Sequence, residues 1–488
     1  MSTRPNILWY CTDQQRFDTI GALNNPHVQT PRLDSFMREA VAFTHTYCQS
    51  PVCTPSRASF LTGMYPSALH VNGNGSADFP VSLEDRLVTN RLAREGYDCG
   101  LIGKLHIASA YNGIENRVDD GYRTFHYSHG NRKDGHDYFD WIRQQGENPE
   151  VHLKNRTENP LVNAAGAPKQ LQKAGLYLPT EESDNVPPHL HQSFWCTEMA
   201  MDFLEANESN EQPWLLSINP FDPHPPFDPP WEYYRRYDPE RLPGAHFKDS
   251  DIAQQKKLAN AGVDFQSAVQ HPEEFGHQAM QAAYYAMITQ IDHQFGRLLD
   301  HLEEIGQRDN TIIIFTSDHG EGLGDHGLSQ KGCRFYEGSV RVPLMISWPG
   351  HFREGITSDA LVELTDLTPT FYDLLNIEPP YDVQGKSLLP VLTGKSVEHR
   401  DFVRSEFLGA LALPDQTHAT MYRDRKWKLI TYHAKNMFEL YDLESDPWEH
   451  NDLSGDPNYQ AIKWDLVRRS FDATIDALPR SAPRVGPY

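Results

Sequence analysis

The segment NTIIIFTSDHG, residues 310–320, is a run of β-branched and aromatic residues that ends in an aspartate and a histidine. This form is typical of a buried strand followed by a functional loop. Three other segments share it: NILWYCTDQQ at 6–15, YDCGLIGKLH at 97–106 and PWLLSINPFDPH at 213–224. Helical patterns separate the four segments, which predicts an α/β fold with a large, mostly parallel sheet between two layers of helices.

The polar residues that follow these four strands are the first candidate site. In a parallel sheet, ligands bind at the carboxyl ends of the strands, so the residues placed there are expected to meet at one edge. These residues are Asp13, Gln14, Lys104, His106, His224, Asp318 and His319. Because four separate segments point to the same edge, their agreement is a stronger indication than any one of them.

The pattern also predicts how the chain is divided. The clearest helix runs from about Gln281 to Ile305, with an apolar face and Gly306 as its stop. After residue 395, short strand-like pieces and a helical stretch at 458–476 predict a small α+β C-terminal subdomain over 396–488. Residues 1–395 then form the catalytic domain, in which the polar interval 109–188 is long enough to be a functional wall or lid.

Composition excludes several classes of protein. The net charge of −23 over 488 residues opposes nonspecific binding to nucleic acid or to an anionic membrane, and any anionic substrate needs a local cluster of cations. The chain contains no apolar run of the roughly 20 residues that span a bilayer. Its N-terminus lacks a signal-peptide pattern, and its six cysteines lack C-x-x-C spacing, so we expect reduced thiols and a cytoplasmic location.

Cys53 stands in the segment PVCTPSRASFLTG, residues 51–63. Pro55 suits a first helical turn and the run from Ser56 to Thr62 predicts a helix, so Cys53 and Arg57 are placed at a helix N-terminus, which attracts anions. A lone cysteine is more often an inert core residue than a nucleophile. The residues alone leave open whether Cys53 is a buried thiol, a nucleophile or the precursor of another group.

The stretch CTPSRASFLTG resembles the signature C-x-P-S-R-x-x-x-L-T-G of the type I sulfatases, the formylglycine-dependent branch of the alkaline phosphatase superfamily. GKLH at 103–106 is similar to the family's G-K-W-H, with Leu105 where tryptophan is usual. Further similar blocks are DPHPPF at 222–227, SDHGEGLGDHGLSQK at 317–331, YEGSVRVPL at 336–344 and YDLESDPWEHNDL at 441–453. The resemblance implies an alkaline-phosphatase-like fold and a sulfatase acting on a sulfate monoester of a sugar, phenol or small alcohol.

The resemblance also implies the cofactors. Cys53 would be oxidised to formylglycine by a formylglycine-generating enzyme or an anaerobic maturase, and one divalent metal ion would be bound. Asp13 and Asp318 supply the hard oxygen donors that such an ion requires, and the full ligand set is Asp13, Gln14, Cys53, Asp318 and His319. Gln14 replaces a carboxylate usual in the family and His319 adds a nitrogen, so Ca2+ is the first choice and Mn2+ the alternative.

The remaining matched residues carry the implied catalytic roles. Arg57 would orient the formylglycine hydroxyl, while Lys104 and Lys331 would hold sulfate oxygens. His224 or Lys331 would protonate the leaving oxygen, and His106 would remove the proton from the second hydroxyl so that sulfate is expelled. Taken singly, each of these residues is more often an ordinary solvated or hydrogen-bonded side chain.

Two other functions remain open. An Asp-Gln pair also occurs in relatives that resemble phosphonate monoester hydrolases, so a phosphonate monoester or phosphodiester hydrolase is the alternative activity, although such relatives usually lack the intact P-S-R and the Lys and His of GKLH. The second alternative is a binding protein in which Cys53 stays unmodified.

Asp325 and His326 are interpreted as a glycine-rich turn with a capping aspartate. Five histidines stay unassigned (His126, His129, His136, His189 and His191), and a homo-oligomer remains possible.

Overall fold

The computed structural model describes residues 4–75, 78–110, 114–130, 135–153, 186–208, 210–263, 265–413, 416–479 and 481–482. Over these residues the strands form two sheets. The strands are β1 (Asn6–Thr12), β2 (Val41–Tyr47), β3 (Asp98–Gly103), β4 (Thr124–Tyr127), β5 (Trp214–Asn219), β6 (Thr311–Ser317), β7 (Arg341–Ser347), β8 (Ile356–Glu363), β9 (Val403–Leu408), β10 (His418–Arg423), β11 (Trp427–Tyr432) and β12 (Met437–Asp442).

The large sheet has the order β4-β3-β5-β1-β6-β7-β2-β8. Every neighbouring pair is parallel except the two that involve β7, which runs against β6 and β2. The predicted mostly parallel mixed sheet is therefore confirmed. The four predicted strands lie side by side as β3, β5, β1 and β6, so their carboxyl ends share one edge.

Both faces of this sheet are covered, as the hydrophobic strands require. Along β1, Ile7 and Trp9 point into one apolar layer, while Leu8 and Tyr10 point into the other. The helices are α1 (Pro31–Phe36), α2 (Cys53–Thr62), α3 (Pro66–Leu69), α4 (Val88–Arg94), α5 (Asp137–Gln144), α6 (Pro149–His152), α7 (Gln192–Ala206), α8 (Trp231–Tyr234), α9 (Asp249–Asn260), α10 (His277–Glu304), α11 (Glu337–Val340), α12 (Leu367–Leu375), α13 (Leu389–Leu392) and α14 (Gln460–Asp476). Helix α10 begins four residues before the predicted start and ends one residue before the predicted end.

The small sheet is an antiparallel meander in the order β12-β11-β10-β9, and α14 packs on it. Lys428 of β11 joins it to α11, the short helix before β7, since Nζ lies 2.7 Å from Glu337 Oε1; Nζ also lies 2.6 Å from Glu449 Oε1, and all three residues are buried. The predicted α+β C-terminal unit is thus present. Its boundary between residues 395 and 396 stays a prediction.

The interval 109–188 falls largely outside the description, because residues 111–113, 131–134 and 154–185 are not among the described residues. Its described parts include β4, α5 and α6. Among all the residues that the structure describes, no helix is both long enough and apolar enough to cross a membrane.

Candidate active site

The strand ends converge as the sequence predicts. Asp13, Lys104 and Asp318 each follow directly on a strand, β1, β3 and β6 respectively, and His224 lies five residues beyond β5. Because these strands are parallel neighbours in the order β3-β5-β1-β6, the loops after them lie at one edge of the sheet.

Cys53 is the first residue of α2 and is buried, with 1% of its surface exposed. Asn74 Oδ1 accepts the Thr54 N–H at 3.2 Å, which satisfies one of the free donors at the start of this helix. Ser56 Oγ donates to the Asp318 carbonyl at 2.5 Å. The start of α2 is therefore bound directly to the end of β6, and this contact brings Cys53 to the aspartate.

Four potential metal ligands, Asp13, Cys53, Asp318 and His319, form a group that we call the strand-end cluster. One atom from each lies within 4.8 Å of the others. His319 Nε2 lies 3.1 Å from Cys53 Sγ, 3.8 Å from Asp13 Oδ1 and 3.7 Å from Asp318 Oδ1. All four residues are buried, so the carboxylates need compensating positive charge.

Three cationic side chains supply that charge. Lys104 Nζ donates to Asp13 Oδ2, and Arg57 Nε donates to Asp318 Oδ2 at 2.8 Å. Lys331 Nζ lies 2.9 Å from Cys53 Sγ. In each aspartate, Oδ2 is thus bound to a cation, while Oδ1 lies within 4 Å of His319 Nε2. Asp318 Oδ1 also accepts the backbone N–H groups of Gln14 and His319 at 3.0 and 2.9 Å.

The donors fit a divalent ion. Oδ1–Nε2 separations of 3.7–3.8 Å are close to the edge of about 3.4 Å expected between neighbouring ligands at 2.3–2.6 Å from Ca2+. His319 Nδ1 lies 2.9 Å from the Gly320 carbonyl, so Nδ1 carries the proton and Nε2 has a lone pair to offer. Gln14 Oε1 instead accepts from Lys331 Nζ at 2.7 Å, at the rim of the cluster.

The surrounding charges set the protonation states. Burial and the Cys53 sulfur would raise the pKa of Asp13, but Lys104, His224 and Lys331 outweigh them and hold it at about 2. Burial would also raise the pKa of the Cys53 thiol, but Lys104 and Lys331 hold that pKa well below its ordinary value. The site therefore favours negative charge on both its carboxylate and its sulfur.

Two histidines beside the cysteine are neutral at neutral pH. Burial and then Lys104 lower the pKa of His106 to about 4. Burial and then Lys331 lower the pKa of His224, whose Nδ1 lies 2.7 Å from the Pro225 carbonyl. Nε2 of His224 is therefore the nitrogen that can exchange a proton in the site. As an uncharged imidazole, His106 can accept a proton.

Two carboxylates that support the site were missed in the sequence. Glu115 accepts hydrogen bonds from the N–H groups of His106, Ile107 and Ala108 at 2.5–2.7 Å, and so holds the turn that presents His106. Glu321 accepts from the Gln14 amide and from the backbone N–H of Gln330. Glu321 follows the Asp-His pair by two residues, which is a usable signal, whereas nothing in the pattern around Glu115 marks it.

The unassigned histidines divide into two groups. The ring of His129 lies edge-on to that of His106, with 4.6 Å between centroids, so His129 belongs to the site wall. His136 is buried against Tyr127, and His191 Nδ1 lies 3.3 Å from Asp222 Oδ2. His126 is half-buried and His189 is exposed, and among the described residues neither forms a hydrogen bond or ion pair with the strand-end cluster.

Comparison with known proteins identifies similar chains of nearly full length. The family model described as Sulfatase matches residues 5–377, and the model described as N-sulphoglucosamine sulphohydrolase, C-terminal, matches residues 324–474. An arylsulfatase of Clostridium perfringens is 31% identical, with 94% of this chain and 92% of that protein covered. The multifunctional alkaline phosphatase superfamily protein PehA of Trinickia caryophylli is 30% identical, with 98% and 97% covered. The crystal structure of the phosphonate monoester hydrolase of Agrobacterium radiobacter has a TM-score of 0.77 at 26% identity, with 97% and 96% covered.

Proposed function

Because the chain belongs to the sulfatase family and is a sulfuric ester hydrolase, we propose that its substrate is a sulfate monoester of a sugar, phenol or small alcohol. Cys53, converted to formylglycine, is the residue that attacks the sulfur. The observation that carries this proposal is the position of Cys53 at the start of a helix, among three metal-ligand candidates and 2.9 Å from Lys331 Nζ. As formylglycine, this residue supplies a hydrated aldehyde as the nucleophile. One bound divalent ion, with Ca2+ as the first choice and Mn2+ as the alternative, would make the hydroxyl of that hydrate more acidic.

The residues that hold that ion are Asp13, Asp318 and His319, together with the modified Cys53 and, at the rim, Gln14. Asp13 and Asp318 each have Oδ2 bound to a cation, and Asp318 Oδ1 is held by the N–H groups of Gln14 and His319, so both carboxylates are fixed in orientation beside His319. A set of carboxylate oxygens with a single imidazole suits a hard ion.

The sulfate group is bound by the buried cations. Lys331 Nζ lies 2.9 Å from the Cys53 sulfur, Lys104 binds Asp13 and Arg57 binds Asp318. In a site closed to water, these charges stabilise the oxygens of the transferring sulfuryl group more strongly than they would in solvent. They are also the local cation cluster that an anionic substrate needs in a chain of net charge −23.

Two proton transfers complete the reaction. The leaving alcohol needs a proton, and the two candidate donors are His224 through Nε2 and Lys331 through Nζ. Because the pKa of His224 is lowered, His224 must gain its proton as the anionic substrate binds. Release of sulfate needs a base, and His106 is neutral and held by the Glu115 turn.

A second candidate function is hydrolysis of a phosphonate monoester or phosphodiester. One similar structure favours it, that of the phosphonate monoester hydrolase of Agrobacterium radiobacter. Sulfate monoesters, phosphonate monoesters and phosphodiesters all present a singly charged tetrahedral group with one bond to break. The same cations can therefore hold each of them.

Two measurements test the proposal. The mass of the peptide that carries Cys53, from the native host, should show loss of the thiol and gain of an aldehyde; thiol alone would contradict the formylglycine mechanism. A panel of aryl, alkyl and sugar sulfates beside a phosphonate monoester and a phosphodiester should give the highest kcat/KM on a sulfate. A higher value on a phosphonate monoester would favour the second candidate.

A further inference from the structure

A second group of metal-ligand side chains lies outside the site described above. Asp251, His326 and His450, which we call the loop cluster, each offer one atom within 4.8 Å of the others. Asp251 stands in the first turn of α9, His326 in the loop after β6 and His450 in the loop after β12. We propose that the loop cluster is a structural site for a zinc-class divalent ion that joins the C-terminal sheet to the active-site loop.

The separations between the ligand atoms fit such an ion. Asp251 Oδ1 lies 3.6 Å from His326 Nδ1 and 3.2 Å from His450 Nδ1. Ligands at 2.0–2.2 Å from a tetrahedral zinc ion are about 3.4 Å apart. The His326 separation exceeds the usual hydrogen-bond length, so the carboxylate does not hold this ring by an ordinary hydrogen bond.

Asp251 and His326 are each oriented by a contact that does not use the inferred ligand atom. The second oxygen of Asp251, Oδ2, accepts the Lys248 N–H at 2.8 Å and lies 3.0 Å from His450 Nδ1. The His326 ring stacks on Tyr336, with 3.7 Å between centroids, and its backbone N–H donates to the His246 carbonyl at 3.0 Å. Outer contacts of this kind fix the ligands of known metal sites.

The donor types select the ion. Two imidazole nitrogens and one carboxylate suit Zn2+, whereas Ca2+ takes 6–8 oxygen ligands. The side chains of Asp251, His326 and His450 are 2%, 4% and 9% exposed, so the ion would be shielded from bulk solvent, and a water would complete its four-coordinate set. The two clusters are therefore suited to different ions.

The position of His326 gives the site a consequence. His326 lies between His319 and Lys331 in one loop, and that loop is closed on itself by Gly322 N–H to Gln330 O and Gly324 N–H to Leu328 O, both 2.8 Å. An ion on His326 that also binds Asp251 and His450 ties this loop to two other segments. It would fix the position of Lys331 without touching the substrate.

The test is the zinc content of full-length variants, all carrying Cys53→Ser so that the thiol of the strand-end cluster does not capture zinc. The proteins are dialysed against Zn2+ and then against metal-free buffer. We expect one equivalent of zinc in Cys53→Ser alone and in Cys53→Ser combined with Asp318→Ala. Adding His450→Ala or Asp251→Asn to Cys53→Ser should lower the zinc content by at least about tenfold. His433→Ala is the matched control, since His433 directly follows β11 in the same C-terminal unit but bonds to Thr420, and it should keep its zinc.

Two further readouts keep the result clear if one variant folds poorly. Asp251→Asn retains an oxygen for the Lys248 N–H, and its circular dichroism should match that of the background. Zinc should raise the melting temperature of the background by about 2–4 °C but not that of Asp251→Asn. Zinc that is absent from the background, or that is lost with Asp318→Ala and kept in both loop-cluster variants, would overturn the proposal.

Discussion

The strand-end cluster and the loop cluster have similar ligands but are built in different ways. The first is gathered by adjacent parallel strands and a helix start, and its carboxylates are bound by Lys104 and Arg57. The second joins one helix start to two loops, and its single carboxylate is oriented by a backbone N–H. The cations of the first balance charge where an anion must bind and leave. A backbone donor holds the second in place and leaves no strong field for an anionic substrate.

The largest expected difference between the two clusters is in turnover. Cys53→Ala should lower kcat on an aryl sulfate by about 10^4-fold or more, because it removes the nucleophile. Asp251→Asn should lower kcat far less, by less than about tenfold, because Asp251 does not touch the substrate and acts only through the loop.

Cys48→Ala is the control for the first variant. Cys48 is a buried cysteine near α2 that does not belong to the strand-end cluster, so its variant should retain activity. Comparable losses in Cys48→Ala and Cys53→Ala would point to a packing defect and would remove the functional distinction between the clusters.

The next largest effect is expected at Asp318, where metal binding and stability are combined. Asp318→Asn should lose the ion of the strand-end cluster and lower the free energy of unfolding by about 3–5 kcal/mol, since Arg57 is then left buried without its main partner. Elemental analysis and denaturant unfolding measure the two losses.

Asp359→Asn provides the surface comparison. Its ion pair with Arg425 has 73% and 49% exposed side chains, and its loss should cost less than about 1 kcal/mol. If Asp318→Asn unfolds with the same free energy as Asp359→Asn, the buried pair does not support the cluster as described.

These two clusters also show what the sequence could predict. Asp13 and Asp318 were predictable because each follows an apolar, β-branched run, and because parallel strands place their carboxyl ends at one edge. Cys53 was predictable from its helix signal and the resemblance of its surroundings. The roles given to these residues remain predictions.

The loop cluster was not predictable from the same patterns. His326 was interpreted as part of a glycine-rich turn, and it does lie in a turn, with a φ of 54°. Asp325 in that turn pairs with Arg16 at 2.8 Å and accepts the His246 N–H, so its partners are distant in sequence. Contacts between segments 75 and 124 residues apart, such as those of Asp251, His326 and His450, leave no periodicity in the sequence. The antiparallel direction of β7 was hidden for a similar reason, since strand direction depends on the connection rather than on composition.

A smaller effect should identify the proton donor at the strand-end cluster. If His224 protonates the leaving oxygen, His224→Ala should lower kcat by about 10^2-fold or more on an alkyl sulfate, whose alkoxide leaves poorly, but by less than about tenfold on 4-nitrophenyl sulfate. Equal losses on both substrates would transfer this role to Lys331. His293→Ala, whose imidazole bonds to Tyr233 on the helical layer, is the control and should show neither loss.

The last expected effect appears only as a change with pH and concerns Glu115, a buried carboxylate held by three backbone N–H groups, whereas Asp251 is held by one. Burial raises the pKa of Glu115 to about 7, whereas in Asp251 the effect of burial is outweighed by His326 and the pKa is lowered. Because the folded-state pKa of Glu115 lies above its ordinary 4.5, the folded protein holds a proton that the unfolded chain releases first. Its contribution to stability is therefore complete below about pH 4.5 and is lost as the pH rises through about 7, by about 3 kcal/mol in total. Glu115→Gln cannot ionise, so the unfolding free energy of wild type minus that of this variant should fall by about 3 kcal/mol between pH 4.5 and 7. A difference that stays constant with pH would mean that the pKa of Glu115 is not raised in the folded protein.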